Sequence, residues 1–187
     1  MIRGYEIRAT CPGSCSALEV SAMLASSWLI RTEVPSDLPQ IEALQADAFG
    51  PGRFAKTAFR LREGVERDHR LCFVGMSDDV FAGSVWLTPI MIGDAPSQLL
   101  GPLAVSPAFK NRGLGRLLVN QSLKAAQALG EKSVLLVGDA PYYGPLGFEP
   151  VPLGRIQLPG PVDPARLLVA NLQPGSEMPS GMVRGGR

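Results

Sequence analysis

The chain has 187 residues, 45% of them hydrophobic, and its formal net charge is +1. This length and apolar content predict one well-filled core, and therefore a single domain rather than two. The near-neutral charge argues against a dedicated nucleic-acid binder, because such proteins carry a basic excess on one face. A small charged ligand fits this composition better than a nucleic acid.

Cysteine and histidine usage argues against a disulfide framework and against a metal site. Cys11, Cys15 and Cys72 are an odd number at irregular spacing, which indicates a reducing compartment and a cytoplasmic location. His69 is the single histidine and no second cysteine pair is present, so no tetrahedral metal site is completed. We therefore expect no bound metal.

The beginning of the chain is predicted to lie outside the folded domain, and membrane attachment is not expected. No run of about eighteen apolar residues is present, so a membrane-spanning helix is not predicted. The apolar run over residues 22–30 is also short for a signal-peptide core. We expect residues 1–27 to be a disordered extension of a domain that spans residues 28–174.

The first half of that domain is predicted to alternate between strands and helices. Residues 28–34 are rich in β-forming side chains and predict a strand. Apolar residues at helical spacing predict a helix over residues 36–48, and residues 53–63 predict a second helix that covers one end of the sheet. Strands at 71–76 and 80–92 flank a turn-forming cluster and predict a hairpin.

The second half predicts a strand, a helix and a strand in succession. The strand spans residues 99–105, the helix 113–129 and the second strand 133–137, with Gly130 ending the helix. Such a crossover joins parallel strands and places the helix start at the carboxyl end of the first strand, where ligands of open α/β sheets bind.

The end of the chain is less well specified by its sequence. Residues 166–172 are compatible with a terminal strand or a short helix, and proline and glycine are frequent around them. Residues 175–187 are predicted to be a flexible C-terminal tail.

The helix start predicts an anion-binding loop. Its sequence is Lys110-Asn111-Arg112-Gly113-Leu114-Gly115. A helix N-terminus presents unpaired N–H groups and a positive dipole end, and glycine lets the backbone approach a phosphate closely. No acidic residue lies between Asp94 and Glu131, whereas four basic residues do: Lys110, Arg112, Arg116 and Lys124. This field suits a polyphosphate.

Two familiar phosphate-binding motifs are not matched by this loop. A nucleoside-triphosphatase loop has four residues between its glycines followed by Lys and Ser or Thr, which the segment after Gly113 does not supply. A dinucleotide-binding loop has a third glycine at the position of Leu118. A glycine turn with no ligand remains an alternative on these residues alone.

Two segments together point to a known family. The first is Leu103-Ala104-Val105-Ser106-Pro107 followed by Lys110 to Gly115, and the second is the run Leu135-Leu136-Val137-Gly138-Asp139-Ala140-Pro141-Tyr142-Tyr143, with Gly147-Phe148. They resemble the GCN5-related N-acetyltransferase (GNAT) superfamily, in particular its YhbS-like branch of predicted acetyltransferases, and the first segment is similar to the acyl-CoA motif of that superfamily. The resemblance covers residues 29–148 and extends weakly to about residue 175.

The resemblance implies a single domain with a mixed α/β (α+β-like) fold. Its central sheet would be mixed and mostly antiparallel, flanked by helices, with the fourth and fifth strands splayed apart around acetyl-CoA. Pro102 suits an interruption there, because proline cannot donate to a sheet ladder. The implied cofactor-binding residues are those of the strand, Leu103, Ala104 and Val105, and those of the loop, Lys110, Asn111, Arg112, Gly113, Leu114, Gly115 and Arg116.

The resemblance also implies residues for the chemistry. Tyr143, four residues before Gly147, matches the family tyrosine that serves as the acid for the departing thiolate, and Tyr142 is a substitute. Because residues 99–105 carry no carboxylate, the base is left open among Asp139, Glu66 and a water chain. Residues 144–146 depart from the basic and aromatic pattern of the branch.

The resemblance therefore implies acetyl transfer from acetyl-CoA to a primary amine, in a small molecule or a peptide, by direct attack in a ternary complex. A catalytically silent acyl-CoA sensor and a structural module without a ligand are the alternatives. The oligomeric state is open between a monomer and a homodimer, and no nucleic-acid or membrane partner is expected.

Overall fold

A nine-stranded sheet forms the centre of the computed structural model, which describes residues 28–186. The expectation of a disordered extension over residues 1–27 lies outside the described residues, as do Cys11 and Cys15. The strands are β1 (Trp28–Thr32), β2 (Phe73–Ser77), β3 (Val80–Ile92), β4 (Ala95–Val105), β5 (Ser133–Val137), β6 (Glu149–Pro150), β7 (Ile156–Gln157), β8 (Leu167–Asn171) and β9 (Gly181–Gly185). The helices are α1 (Leu38–Phe49), α2 (Thr57–Arg60), α3 (Leu114–Ala128) and α4 (Ala140–Tyr143).

The sheet is mixed and mostly antiparallel, as the resemblance implies. Strands β1 to β4 pair in order as antiparallel neighbours, and β4 and β5 are parallel. Beyond β5 the order continues with β8 and β6, both antiparallel, while β9 pairs with the end of β3 and with β7. The β4–α3–β5 segment is the predicted crossover, so the start of α3 follows the carboxyl end of β4.

Each face of the sheet buries one of the two longer helices. Leu114, Leu118 and Val119 of α3 pack into the largest apolar cluster, which includes residues of β2, β3 and β4. Gly75 makes room for this contact, since a Cβ there would lie 2.5 Å from Leu114 Cδ1. Ile41 of α1 packs against the opposite cluster, with Cys72, Val74 and Trp86. Leu117 of α3 and Leu129, which directly follows it, are exposed.

The predicted helix over residues 53–63 is mostly not formed. The structure has a 3-10 turn at Pro51–Ala55 and then the four-residue α2. Lys56 separates them with an extended backbone, φ −73° and ψ 135°. This break lets the hydroxyl of Thr57 donate to the carbonyl of Pro161 at 3.0 Å, a distant contact that the local sequence does not indicate.

The tail predicted over residues 175–187 contains a strand in its described part. Gly181–Gly185 form β9, which pairs with β3 from Ile92↔Val183 to Ile90↔Gly185, and Val183 is buried. A Cβ on Gly181 would lie 2.9 Å from Cα of Gly93, so glycine permits the close approach of the two chain segments. The glycines that lower local strand propensity are thus required by a long-range contact. Residues 166–172, left open above, contain strand β8.

Asp37 joins the first strand to the first helix, and this contact gives a testable prediction for stability. Its carboxylate accepts two hydrogen bonds from Arg31, at 2.7 and 2.8 Å, and one from the Val34 amide at 2.8 Å. The hydrogen bonds from Arg31 hold the pKa of Asp37 below its usual value. We expect Asp37→Asn to lower the free energy of unfolding at pH 7 by about 1–2 kcal/mol, measured by urea denaturation.

The pH dependence of that difference provides a check. Because the folded pKa is lowered, the stabilisation is present above the unfolded pKa and is lost as pH falls through the folded value. The gap between wild type and Asp37→Asn should therefore shrink below about pH 4. Asp47→Asn, on the exposed face of α1, is the control and should change little. A gap that stays constant down to pH 3 would contradict the assignment.

Candidate active site

The parallel strands β4 and β5 part shortly after they meet. They are paired at Gln98↔Val134 and Leu99↔Leu135, and residues 100–105 of β4 continue without a partner on β5. On its other edge β4 carries a bulge, because Gly101 and Pro102 together lie opposite one residue of β3. The splayed fourth and fifth strands implied by the resemblance are therefore present, and the backbone of β4 beyond the bulge borders a cleft.

The loop before α3 leaves a run of main-chain amides free for a ligand. The Lys110 amide donates to Pro107 at 3.4 Å and the Leu117 amide to Gly113 at 3.2 Å. Between them, the amides of residues 111–116 make no hydrogen bond to the described part of the chain. Asn111 and Gly113 have φ of +61° and +85°, an alternation that turns successive N–H groups toward one side. This arrangement can hold an anion.

Three basic side chains surround these amides. Lys110, Arg112 and Arg116 are exposed, and none forms an ion pair with a residue in the range 28–186. Arg112 lies over Phe109, with Cζ 5.9 Å from the ring centroid. The unpaired positive charge on this loop matches the charge of a polyphosphate.

The first turn of α3 touches both the cleft and the following short helix. A Cβ on Gly115 would lie 2.5 Å from the hydroxyl oxygen of Tyr142, 3.7 Å from Val105 and 3.8 Å from Leu103. The structure therefore brings these predicted residues together at one place. Ala104, between the two cleft residues, is buried and faces away.

Tyr143 lies deeper than Tyr142. Its ring packs edge-on against Phe148, with centroids 5.7 Å apart, and rests on the backbone of Gly138, where a side chain would clash. Burial raises the pKa of Tyr143 to about 12, and the nearby Tyr142 and Asp139 add to the shift. With that pKa the phenol is protonated at neutral pH. Its hydroxyl makes no hydrogen bond to residues 28–186 and can therefore donate one to a ligand.

The carboxylates considered as bases differ in their surroundings. Asp139 directly precedes α4, its side chain is 74% exposed, and its carboxylate lies 3.2 Å from Nε of Arg166. It makes no helix-capping hydrogen bond. Glu66 is exposed on the loop before β2. Both remain accessible to solvent.

Sequence reasoning missed two arginines on the sheet face opposite α3. Arg62 follows α2 and reaches the carbonyl of Leu100 on β4. Arg67 stacks on Trp86, with Cζ 3.7 Å from the ring centroid, and lies 3.7 Å from the buried carboxylate of Glu33. The only signal in the sequence is a density of charged residues between 60 and 70, which does not indicate which of them are buried.

Residues 28–186 offer neither a metal site nor a membrane-spanning helix, and a surface cavity lies away from the cleft. Residues 28–186 contain no group of three or more His, Cys, Asp and Glu side chains that could hold a metal ion. No helix in the same range has the length and apolar character needed to cross a membrane. A surface cavity of about 640 Å³ lies near the amino end of β5, lined in part by Lys132, Ser133 and Gln173, and thus away from the cleft.

Comparison with known proteins places these features in a family. The acetyltransferase (GNAT) family matches residues 38–148. The "Uncharacterized N-acetyltransferase YhbS" of Escherichia coli K12 is 34% identical over 124 residues, which are 65% of this chain and 73% of that protein. The "Uncharacterized N-acetyltransferase YjhQ" of the same strain is 29% identical over 119 residues, covering 62% and 66%.

Solved structures agree with the sequence comparison. A crystal structure of the GNAT family N-acetyltransferase YhbS from Escherichia coli in complex with CoA superposes with a TM-score of 0.69 at 30% identity, covering 85% of this chain and 89% of that one. A GNAT family acetyltransferase from Brucella melitensis in complex with acetyl-CoA superposes with a TM-score of 0.64 at 24% identity, covering 86% and 97%. The second likeness concerns the fold alone.

Proposed function

Because the chain belongs to the acetyltransferase (GNAT) family, we propose that it transfers the acetyl group of acetyl-CoA to a primary amine by direct attack in a ternary complex. The observation that carries the proposal is the run of free amides over residues 111–116 beside the parted strands β4 and β5. YhbS of Escherichia coli, which is 30% identical in the structural comparison, was crystallised in complex with CoA.

The cofactor would occupy the cleft in a defined direction. The amides of residues 111–116 would hold the pyrophosphate, with Lys110, Arg112 and Arg116 adding positive charge. The main-chain groups of Leu103 and Val105 would pair with the pantetheine arm, because β4 has no partner on its β5 side there, while its other edge pairs with β3. Hydrogen bonds to charged groups contribute about 1.5–3 kcal/mol each, so several of them support micromolar binding after the cost of immobilising the cofactor.

The one cysteine that the structure describes, Cys72, is unsuited to carry the acetyl group as a covalent intermediate, which is consistent with direct transfer. Cys72 is buried, and burial raises the pKa of its thiol to about 12. Such a thiol is not a nucleophile at neutral pH. In the proposed reaction the neutral amine attacks the thioester carbonyl carbon, the carbon–sulfur bond breaks, and CoA leaves as a thiolate.

Tyr143 is the proposed acid for that thiolate. A phenol with a pKa of about 12 is a weaker acid than a thiol, whose usual value is about 8.5, so complete proton transfer from Tyr143 is uphill. A hydrogen bond from the phenol still stabilises the developing negative charge on sulfur. The proton that the amine loses goes to a base, for which we propose Asp139, with Glu66 or a water chain as alternatives.

A catalytically silent acyl-CoA sensor is the second candidate. The observation in its favour is that residues 99–105, which border the cleft, carry no carboxylate that could accept a proton from the amine. Such a protein would keep the amide run and the splayed strands but would release no thiol.

Acetyl-CoA binding and turnover together test the proposal. At a concentration 100 times Kd the ligand should stabilise the protein by about 2.7 kcal/mol, which raises Tm by roughly 5 °C or more. A panel of primary amines should then give acetyl-CoA-dependent release of free thiol. A rise in Tm without release from any amine favours the sensor, and no rise in Tm contradicts both functions.

A further inference from the structure

Arg62 is a partly buried cation whose hydrogen-bonding capacity is only partly used. Its Nη1 donates to the carbonyl of Ala58 at 2.6 Å and its Nη2 to that of Leu100 at 3.3 Å. Its Nε is buried and has no hydrogen-bond partner among residues 28–186. The guanidinium also lies beside Phe59, with Cζ 5.3 Å from the ring centroid. Two carbonyls and one ring thus hold a side chain that has five N–H donors.

No carboxylate of the described chain balances this charge. Arg67, on the same sheet face, lies 3.7 Å from Glu33, but Arg62 forms no ion pair with any residue from 28 to 186. Burial lowers the pKa of Arg62 to about 9, so the group is still charged at neutral pH but poorly hydrated. A buried charge without a partner is costly, and an anionic ligand would remove that cost.

The position of Arg62 connects it to the cleft. Its Nη2 would lie 3.2 Å from a Cβ on Gly101, which is at the bulge of β4 and two residues after Leu99, the last residue that β4 pairs with β5. It approaches from the sheet face opposite α3, whereas the amide run lies at the start of α3. The residue retains partial exposure, so a ligand on that face can reach it.

We propose that Arg62 binds the carboxylate of the acceptor, so that the amine substrate is an amino acid or a related amine carrying a carboxylate. This inference rests on the proposed acetyl transfer. A planar carboxylate matches the fork of one guanidinium. A phosphate dianion would need a second free cation, and Arg67 is already paired with Glu33. The phosphates of CoA have their own site at the amide run.

Matched acceptors test the inference directly. For each amino acid of a panel, kcat/KM for acetyl transfer is compared with that of its carboxamide and of the amine that lacks the carboxyl group. We expect wild type to favour the carboxylate form by at least about 10-fold, because a charge-assisted hydrogen-bonded pair contributes about 1.5–3 kcal/mol. Equal values for all three members of every set would overturn the inference.

Variants of Arg62 assign the preference to this residue. Arg62→Gln should lower kcat/KM for carboxylate acceptors by about 10- to 100-fold and leave the carboxamides nearly unchanged, with acetyl-CoA affinity retained. Arg62→Lys should give an intermediate loss, and Arg60→Gln, an exposed neighbour, should match wild type. An equal loss for both acceptor types would assign Arg62 to the reacting thioester or to the fold and overturn the inference.

A binding measurement separates this inference from the proposed function. N-acetyl amino acids, as products, and their carboxamides are titrated into the CoA-loaded protein by calorimetry. Tighter binding of the carboxylate form in wild type, weakened in Arg62→Lys, supports the site even if no amine is acetylated and the transferase proposal fails. If Arg62→Gln does not fold, Arg62→Lys and the wild-type comparison decide. No preference for the carboxylate form overturns the inference.

Discussion

Gly113→Val is expected to weaken acetyl-CoA binding by about 30-fold or more. Gly113 has φ of +85°, a conformation that a β-branched residue adopts only at a cost of roughly 1–3 kcal/mol. A Cβ there would meet no described atom within 4 Å, so the fold itself can accommodate the side chain. The backbone would relax toward negative φ and turn the amides of residues 111–116 away from a common point.

Gly130→Val is a matched control for this experiment. Gly130 lies just after the other end of α3, its φ is +83°, and a Cβ there would also meet no described atom within 4 Å. Both variants should therefore lower Tm to a similar degree, whereas only Gly113→Val should raise Kd for acetyl-CoA in calorimetric titration. Equal effects of the two variants on Kd would contradict the role of the loop amides.

Tyr143→Phe is expected to lower kcat by about 100-fold while leaving Kd for acetyl-CoA within about 2-fold of wild type. The variant removes one hydroxyl and keeps the ring that packs on Gly138 and Phe148. Because burial raises the pKa of Tyr143 to about 12, its phenol stays protonated as pH increases to about 10. The wild-type kcat profile should therefore show no decline from ionisation of Tyr143 below that pH.

Tyr142→Phe is the companion variant. Its hydroxyl lies next to Gly115 and the ring is within 5.8 Å of Arg116, so its loss should affect cofactor affinity more than kcat. Steady-state kinetics with acetyl-CoA varied will separate the two tyrosines. If kcat falls in Tyr142→Phe and not in Tyr143→Phe, the acid is Tyr142 and the assignment from the resemblance is wrong.

The strand–helix–strand unit was predictable because local pattern and tertiary fold agree there. Strand β5 has the predicted bounds, and α3 begins and ends within one residue of the prediction. Its ends are marked by Gly113 and Gly130, which adopt the left-handed conformation that glycine tolerates. The resemblance to the acetyltransferase family, stated from the same segments, is confirmed by the family match over residues 38–148.

The contacts outside this unit were not predictable in the same way. Strand β9 depends on pairing with β3, which lies about 90 residues earlier, so its own glycine-rich sequence predicts no strand. Likewise, the contacts that distinguish Arg62 from neighbouring arginines, such as those with Leu100 and Phe59, exist only in the folded chain. The sequence could therefore indicate the proposed cofactor side of the site, where a motif exists, but not the proposed acceptor side.

The pairing of β9 also bears on how the protein should be produced for kinetics. A Cβ on Gly185 would lie 2.8 Å from Val65 and 3.3 Å from the carbonyl of Leu61, next to the segment that carries Arg62. An affinity tag fused to Arg187 would follow Gly185 after only two residues. Its chain would crowd the region where we expect the amine to arrive, so acceptor preferences should be measured after the tag has been cleaved.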